Sequence, residues 1–341
     1  MKMKILITGA RSQLAQTIMN STHAQKHELI FTARTVESES TPSNTAKSTD
    51  LSAYYPIEKL DITDAEAVNA IITEERPQAI INCASYTNVP QAEIEKDAAH
   101  KANVEAVVNL AKAAKANDAL LVHISTDYVY DGHADTPYTE AATPNPLNEY
   151  GRTKLAGDEA LKEIGCKYLI FRISWLYSPY GKNFLKTILK KSKEAPSISV
   201  VDDQTGTPTY AGDLVDAIFT AIESTPKTPE LTPEEETKET TPKAPEEEAE
   251  APAITPSGPA ALYNYSNEGQ CTWYEFAKEI CSQSGSHCTV IPCKTEDYPA
   301  NVQRPRYSVL DKTKYKETYN MDIPHWKESL AKCLKEIEKF G

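Results

Sequence analysis

Short apolar runs alternate with stretches of helical period through the first half of the chain. The runs lie in MKILITGA near the start, in HELIFTA ending at Ala33, in QAIINCA (78–84), in ALLVHIS (119–125) and in KYLIFRIS (167–174). Between the later runs, Asp64 to Glu75, Pro90 to Lys115 and Glu149 to Glu163 repeat apolar residues at helical spacing. Strands alternating with helices predict an α/β fold: a doubly wound, Rossmann-like parallel sheet covered on both faces. The second half is less regular. It predicts a helix near 183–193, a short strand SISVV, a helix over 212–222, a strand at 261–265, and helices over 272–282 and 324–340.

These elements place the sheet domain in 1–172 plus about 199–224. A smaller C-terminal α/β lobe for substrate takes about 173–198 and 260–341. Between them, Thr225 to Pro259 holds nine Glu, three Lys and eight Pro. So few apolar side chains cannot offset the entropy of ordering, and the stretch is expected to be a disordered insertion. A second polar stretch, Val36 to Asp50, reads as a loop after the second strand.

Composition excludes several functions. The 341 residues are 40% hydrophobic and 25% charged, ordinary for a globular protein. The net charge of −13, with no basic stripe, argues against binding a nucleic-acid backbone. No apolar run reaches the ~18 residues of a membrane span. Seven cysteines, an odd number, with no secretory signal before them point to a reducing, cytoplasmic setting. Four of them fall between 271 and 293 without the Cys-x-x-Cys pairing of a zinc site, so no metal is expected.

Candidate chemistry begins at the first strand-to-helix turn. Gly9, Ala10, Arg11, Ser12, Gln13, Leu14 and Ala15 keep one glycine of a Gly-x-x-Gly-x-x-Gly dinucleotide loop, with small residues at the other two places. The second strand ends in Arg34 rather than a carboxylate. A guanidinium suits a 2′-phosphate, which favours NADPH and leaves NADH as the second choice. Asp61 can accept a hydrogen bond from an adenine amine or cap the next helix. Tyr and Lys four apart share one helix face, and three such pairs exist: Tyr55/Lys59, Tyr150/Lys154 and Tyr274/Lys278. Only Tyr150/Lys154 opens the helix that follows a strand ending Ser125, Thr126, Asp127, at the sheet edge where open α/β folds bind ligands.

The strings NCASYTNVPQAE (82–93), STDYVYDG (125–132), PLNEYGRTKLAGD (146–158), RISWLY (172–177), VDDQTGTPTY (201–210) and TWYEFA (272–277) together resemble the dTDP-4-dehydrorhamnose reductase family of extended short-chain dehydrogenase/reductases. The resemblance implies NADPH-dependent reduction of the C4 ketone of dTDP-4-dehydro-L-rhamnose, for cell-surface polysaccharide. It implies Tyr150 as general acid, Lys154 binding the nicotinamide ribose and lowering the phenol's pKa, and Thr126 holding the carbonyl oxygen. Gly9, Ser12, Gln13, Leu14, Arg34, Asp61, Ile62, Ala84, Ser85, Tyr86 and Thr87 are implied on the cofactor side. Asp127, Tyr128, Trp175, Asn183 and Arg304 are implied on the substrate side. Two alternatives stay open: a non-catalytic NADP-binding regulatory subunit, and a reductase of another nucleotide-linked 4-keto sugar. A homodimer is left open as well.

Overall fold

The computed structural model describes residues 2–36, 55–224, 259–297 and 302–340. The acidic insertion, apart from Pro259, and most of the Val36 to Asp50 loop lie outside the described residues. Seven parallel strands form the central sheet: β1 (Lys4–Thr8), β2 (Glu28–Ala33), β3 (Ile57–Lys59), β4 (Ala79–Asn82), β5 (Leu120–Thr126), β6 (Tyr168–Ile173) and β7 (Ala260–Tyr265). Their order is β7-β6-β5-β4-β1-β2-β3. Strand order reverses between β1 and β4, and a crevice opens at the carboxyl ends of such neighbours.

Successive side chains of β1 point to opposite faces, and both faces are buried. Ile5 and Ile7 pack with Phe31 against α1 (Gln13–Met19) and the later helix over Ala211–Ser224. Leu6 joins Ile80 beneath α2 (Ala65–Glu75) and α3 (Ala106–Ala116). This two-sided burial explains why the strands read as apolar runs rather than as alternating patterns. The helix bearing Tyr150 is α4 (Glu149–Ile164), which covers the same face as α3.

The smaller lobe gathers α5 (Phe184–Glu194), α7 (Trp273–Gln283) and α9 (Trp326–Phe340). Its core includes Tyr177, Leu185, Phe276, Ile280, Trp326 and Leu330. Between α5 and α7 in sequence, α6 (Ala211–Ser224) returns to the sheet domain.

Three expectations are corrected. Residues 260–265 belong to the sheet and not to the smaller lobe, because β7 pairs with β6 in register from Ala260↔Tyr168 to Tyr265↔Ile173. α8 (Thr313–Tyr319) follows it there: Tyr315 buries its ring against Phe171, Tyr263 and Tyr265. Conversely, Ser197–Val201 pairs with Thr289–Cys293 in a separate two-stranded sheet that packs on α7, so the smaller lobe claims it. Finally, Pro90 to Lys115 is not one helix. It breaks into Val89–Ala92, Lys96–His100, a wide π turn Lys101–Glu105, and α3.

Candidate active site

At the first turn only one position demands glycine. Gly9 has φ +66°, and a Cβ there would stand 2.8 Å from the Ala84 nitrogen. Ser12 has φ −70°, ordinary for any residue, and its hydroxyl caps α1 by accepting the Ala15 N–H at 3.2 Å. Ala15 is wholly buried in the core. Departure from three glycines therefore brings no strain. A helix start leaves its first N–H groups without an intrahelical acceptor, which suits it to an anion.

Tyr150 is set by the start of α4. Asn148 caps the helix by accepting the Gly151 N–H at 2.9 Å, and its amide nitrogen donates to the Gln303 carbonyl at 2.9 Å. A Cβ on Gly151 would drive into the Tyr128 carbonyl. Its absence lets α4 press on the turn Asp127–Val129 that ends β5. Tyr150 then meets Tyr128 edge-on, with ring centroids 5.6 Å apart. One turn further on, Lys154 is buried; its ammonium nitrogen donates to the Ile124 carbonyl at 2.7 Å.

Tyr150, Lys154 and Thr126 line one cavity of about 560 Å³. Ser12, Gln13 and Leu14 border it from the first turn, Ser85 and Thr87 from the loop after β4. Asp127, Tyr128, Trp175 and Arg304 complete it from the other side. A second cavity of about 570 Å³ adjoins it, sharing Trp273 and Arg304. Trp175 does stand as a wall, but a doubled one: its indole stacks on Trp273 with centroids 3.6 Å apart, held on a backbone of φ +47°. Such a left-handed non-glycine residue is the kind of local strain that clusters at ligand sites.

Several expected residues stand elsewhere. Gly9, Ala84 and Tyr86 shape the walls without lining the cavity. Asn103, in the π turn, organises that loop: its oxygen accepts the Ser85 hydroxyl and the Tyr86 N–H, and its nitrogen donates to the Tyr86 carbonyl. Arg34 is exposed just past the end of β2. Asp61 accepts from the Thr63 N–H and hydroxyl, while Asp64 caps α2, so the capping alternative for Asp61 is corrected. Ile62 is buried, and its carbonyl accepts from Asn109. Asn183 is also corrected: its oxygen caps α5, and its nitrogen donates to the Ser178 and Tyr180 carbonyls and to Gln13. Asn183 lines neither of the two cavities, and its amide is spent on local structure.

Lys182 and Trp273, which no sequence motif singled out as site residues, also line the cavity, as does Arg11 of the first turn. Trp273 stood within the TWYEFA string, but its position opposite Trp175 depends on how two distant segments meet. No local pattern marks Asn103, because a π turn has no sequence signature of its own.

Burial dominates the electrostatics. It pushes the Tyr150 phenol up, with the neighbouring Thr126 hydroxyl pulling down. The Lys154 ammonium is lowered to about 8 by burial, with Asp158 opposing. Tyr128 is raised to about 12 by burial, and Arg304 beside it works the other way. Asp127 accepts the Thr126 hydroxyl at 3.1 Å, yet burial raises its carboxyl to about 6.

The Asp127 shift fixes a sign. Its folded value lies above the ordinary 3.8, so the folded state binds more protons between those two values, and stability falls as pH rises from about 4 to 6. Asp127→Asn removes this titration. Its stability relative to the parent should therefore climb by about 1–3 kcal/mol between pH 4 and 7. Urea unfolding across that range measures it; a difference that stays flat with pH contradicts the assignment.

A reversed-order parallel sheet with a Tyr-x-x-x-Lys helix after its fifth strand, closed by a smaller lobe over the carboxyl edge, defines the extended short-chain dehydrogenase/reductase architecture. The family model described as the RmlD substrate binding domain matches residues 3–236 and 240–339, and the chain belongs to that family. The chain is 30% identical to a dTDP-4-dehydrorhamnose reductase of Burkholderia thailandensis, over 98% of this chain and 99% of that protein. It is 33% identical to one from Escherichia coli K12, covering 81% of this chain and 85% of the relative. A crystal structure of a Bacillus anthracis dTDP-4-dehydrorhamnose reductase in complex with NADP superposes with TM-score 0.78 at 33% identity, over 98% of this chain and all of that one. Among the described residues, no helix is long and apolar enough to cross a membrane.

Proposed function

We propose that this protein reduces the C4 ketone of dTDP-4-dehydro-L-rhamnose to the alcohol, using NADPH. The observation that carries the reading is the convergence of Tyr150, Lys154 and Thr126 on the cavity that the first turn also borders. The family and its reductase relatives support the same substrate. The donor set fits the dinucleotide: a capped helix start, the cations Arg11 and Lys182, and a cavity of about 560 Å³. When bound, the nicotinamide supplies a hydride to the ketone carbon.

The chain's own residues handle the proton and the orientation. Tyr150 gives its phenolic proton to the carbonyl oxygen as that oxygen becomes an alkoxide. Thr126 holds the same oxygen by a hydrogen bond, and Asp127 and Tyr128 orient the sugar beside it. Arg304 lies where the two cavities meet and suits the diphosphate of a nucleotide sugar. The Trp175–Trp273 stack gives the sugar a flat apolar face.

A set that retains its proton donor and ammonium favours this reading over a regulatory subunit, whose binding role requires neither. Mixing the protein with NADPH and a dTDP-4-keto-6-deoxy sugar, alongside a GDP-sugar control, tests it. Loss of reduced-nicotinamide absorbance with the dTDP-sugar is expected. No oxidation with any 4-keto sugar leaves the regulatory reading. Arg34 is proposed to meet the 2′-phosphate. Arg34→Asp should shift preference towards NADH by about tenfold, the size of one charge-assisted contact. An unchanged NADPH/NADH ratio of kcat/KM removes Arg34 from that role.

A further inference from the structure

Behind Lys154 stands a second buried nitrogen base. His123 on β5 is 1% exposed and does not line the cavity. Its Nε2 lies 3.2 Å from Lys154 Nζ, and its Nδ1 lies 3.3 Å from Asn82 Nδ2. Asn82 fixes the proton on the ring. Its carbonyl oxygen accepts the Thr8 hydroxyl at 2.7 Å and the Ala84 N–H at 3.3 Å, so the amide turns its N–H to Nδ1, which must accept. Burial and the Lys154 charge hold the imidazole neutral. A neutral imidazole carries one N–H, and with Nδ1 accepting it sits on Nε2.

That N–H faces Lys154. Against an ammonium, donor would meet donor; against an amine, it makes a hydrogen bond. The carboxylate nearest to Nε2 is Asp158, whose Oδ1 is 3.8 Å away and has no hydrogen-bond partner. Ionisable groups on the neighbouring elements include Tyr150, Lys154 and Asp158 on α4, Arg172 on β6, Asp127 just past β5 and Cys83 just past β4. Asp158 and Arg172 pair with each other at 3.3 Å, and burial keeps the Cys83 thiol protonated. Lys154 is the ionisable group within hydrogen-bond distance of the ring.

We propose that His123 is a positioning residue for the reduction: its Nε2–H stands against Lys154 and favours the amine there, so that Lys154 releases its proton readily. The inference rests on the reading of Tyr150 and Lys154 as the proton-donating pair. In each turnover the alkoxide takes the phenolic proton, the Tyr150 phenolate takes one from the Lys154 ammonium through the cavity both line, and His123 bonds to the amine left behind. Solvent in the cavity then returns a proton to Lys154. Burial of Lys154, which lowers its proton affinity, acts in the same direction.

Two measurements test it. Long-range ¹H–¹⁵N spectra of protein carrying ¹⁵N-labelled histidine report the tautomer of each ring near neutral pH, with His123→Gln assigning the signal. The Nε2–H form is expected; an Nδ1–H form or an imidazolium overturns the proposal. His123→Gln also offers the ammonium a carbonyl oxygen in place of a donor. The alkaline limb of its kcat profile should move up by roughly one pH unit, the size of one neutral hydrogen bond. A uniform fall in kcat with the limb unmoved, or a limb moved down, overturns it. The spectrum needs neither dinucleotide nor sugar, so it stands even if the reductase reading fails; if His123→Gln does not fold, His123→Asn assigns the signal and the unmodified protein decides.

Discussion

Tyr150→Phe should retain dinucleotide binding while lowering kcat by roughly 10² to 10⁴, the range for a lost general acid. The substitution removes one oxygen and leaves the ring, so the edge-on contact with Tyr128 and the start of α4 persist. What disappears is the only phenolic proton beside Thr126 that the proposed chemistry uses. Without it, the developing alkoxide must draw a proton from water in a cavity walled by two indoles. Single-turnover mixing with NADPH and the dTDP-4-keto sugar separates binding from chemistry. A turnover within threefold of the parent would mean that the phenol is not the acid.

The second large effect concerns stability. Asp158 and Arg172 are both almost wholly buried, and Arg172 Nη1 also donates to the Tyr130 hydroxyl at 3.0 Å. Asp158→Ala strands the guanidinium beneath the sheet edge. A cost of about 3–5 kcal/mol is expected, as for any buried pair broken from one side. The Ser125 hydroxyl, which donates to the same carboxylate at 2.8 Å, loses its acceptor as well. Urea unfolding measures the loss. The double replacement Asp158→Leu with Arg172→Met should cost far less than the single change, because no charge is left behind. Equal costs would show that packing, not the stranded charge, sets the penalty.

Local pattern carried much of this architecture. Six of the seven sheet strands bury both faces or nearly so, and their apolar runs were legible without knowing their neighbours. The exception is Ile57–Lys59, three residues of mixed polarity that become a strand only by pairing beside β2. The lobe boundary failed for a related reason. Nothing within ALYNY distinguishes a strand of the small lobe from one added to the sheet edge; its pairing with Tyr168 to Ile173 decides.

The site divides the same way. Tyr150 and Lys154 could be placed because a four-residue spacing on one helix is local geometry. Asn183 could not be judged from its letter, since a cap and a sugar contact both call for a short amide. His123 stood in plain view in HISTD, two residues before Ser125 on the same face of its strand. Its importance depends on the amide of Asn82, forty-one positions away, whose orientation fixes which ring nitrogen carries the proton.

The stacked indoles give the molecule a built-in optical gauge. Of its three tryptophans, Trp175 and Trp273 face each other in the cavity, while Trp326 lies sealed in the smaller lobe. Emission from the pair overlaps the absorption of a reduced nicotinamide. Occupancy can thus be followed by quenching and energy transfer without any label, against the steady background of Trp326.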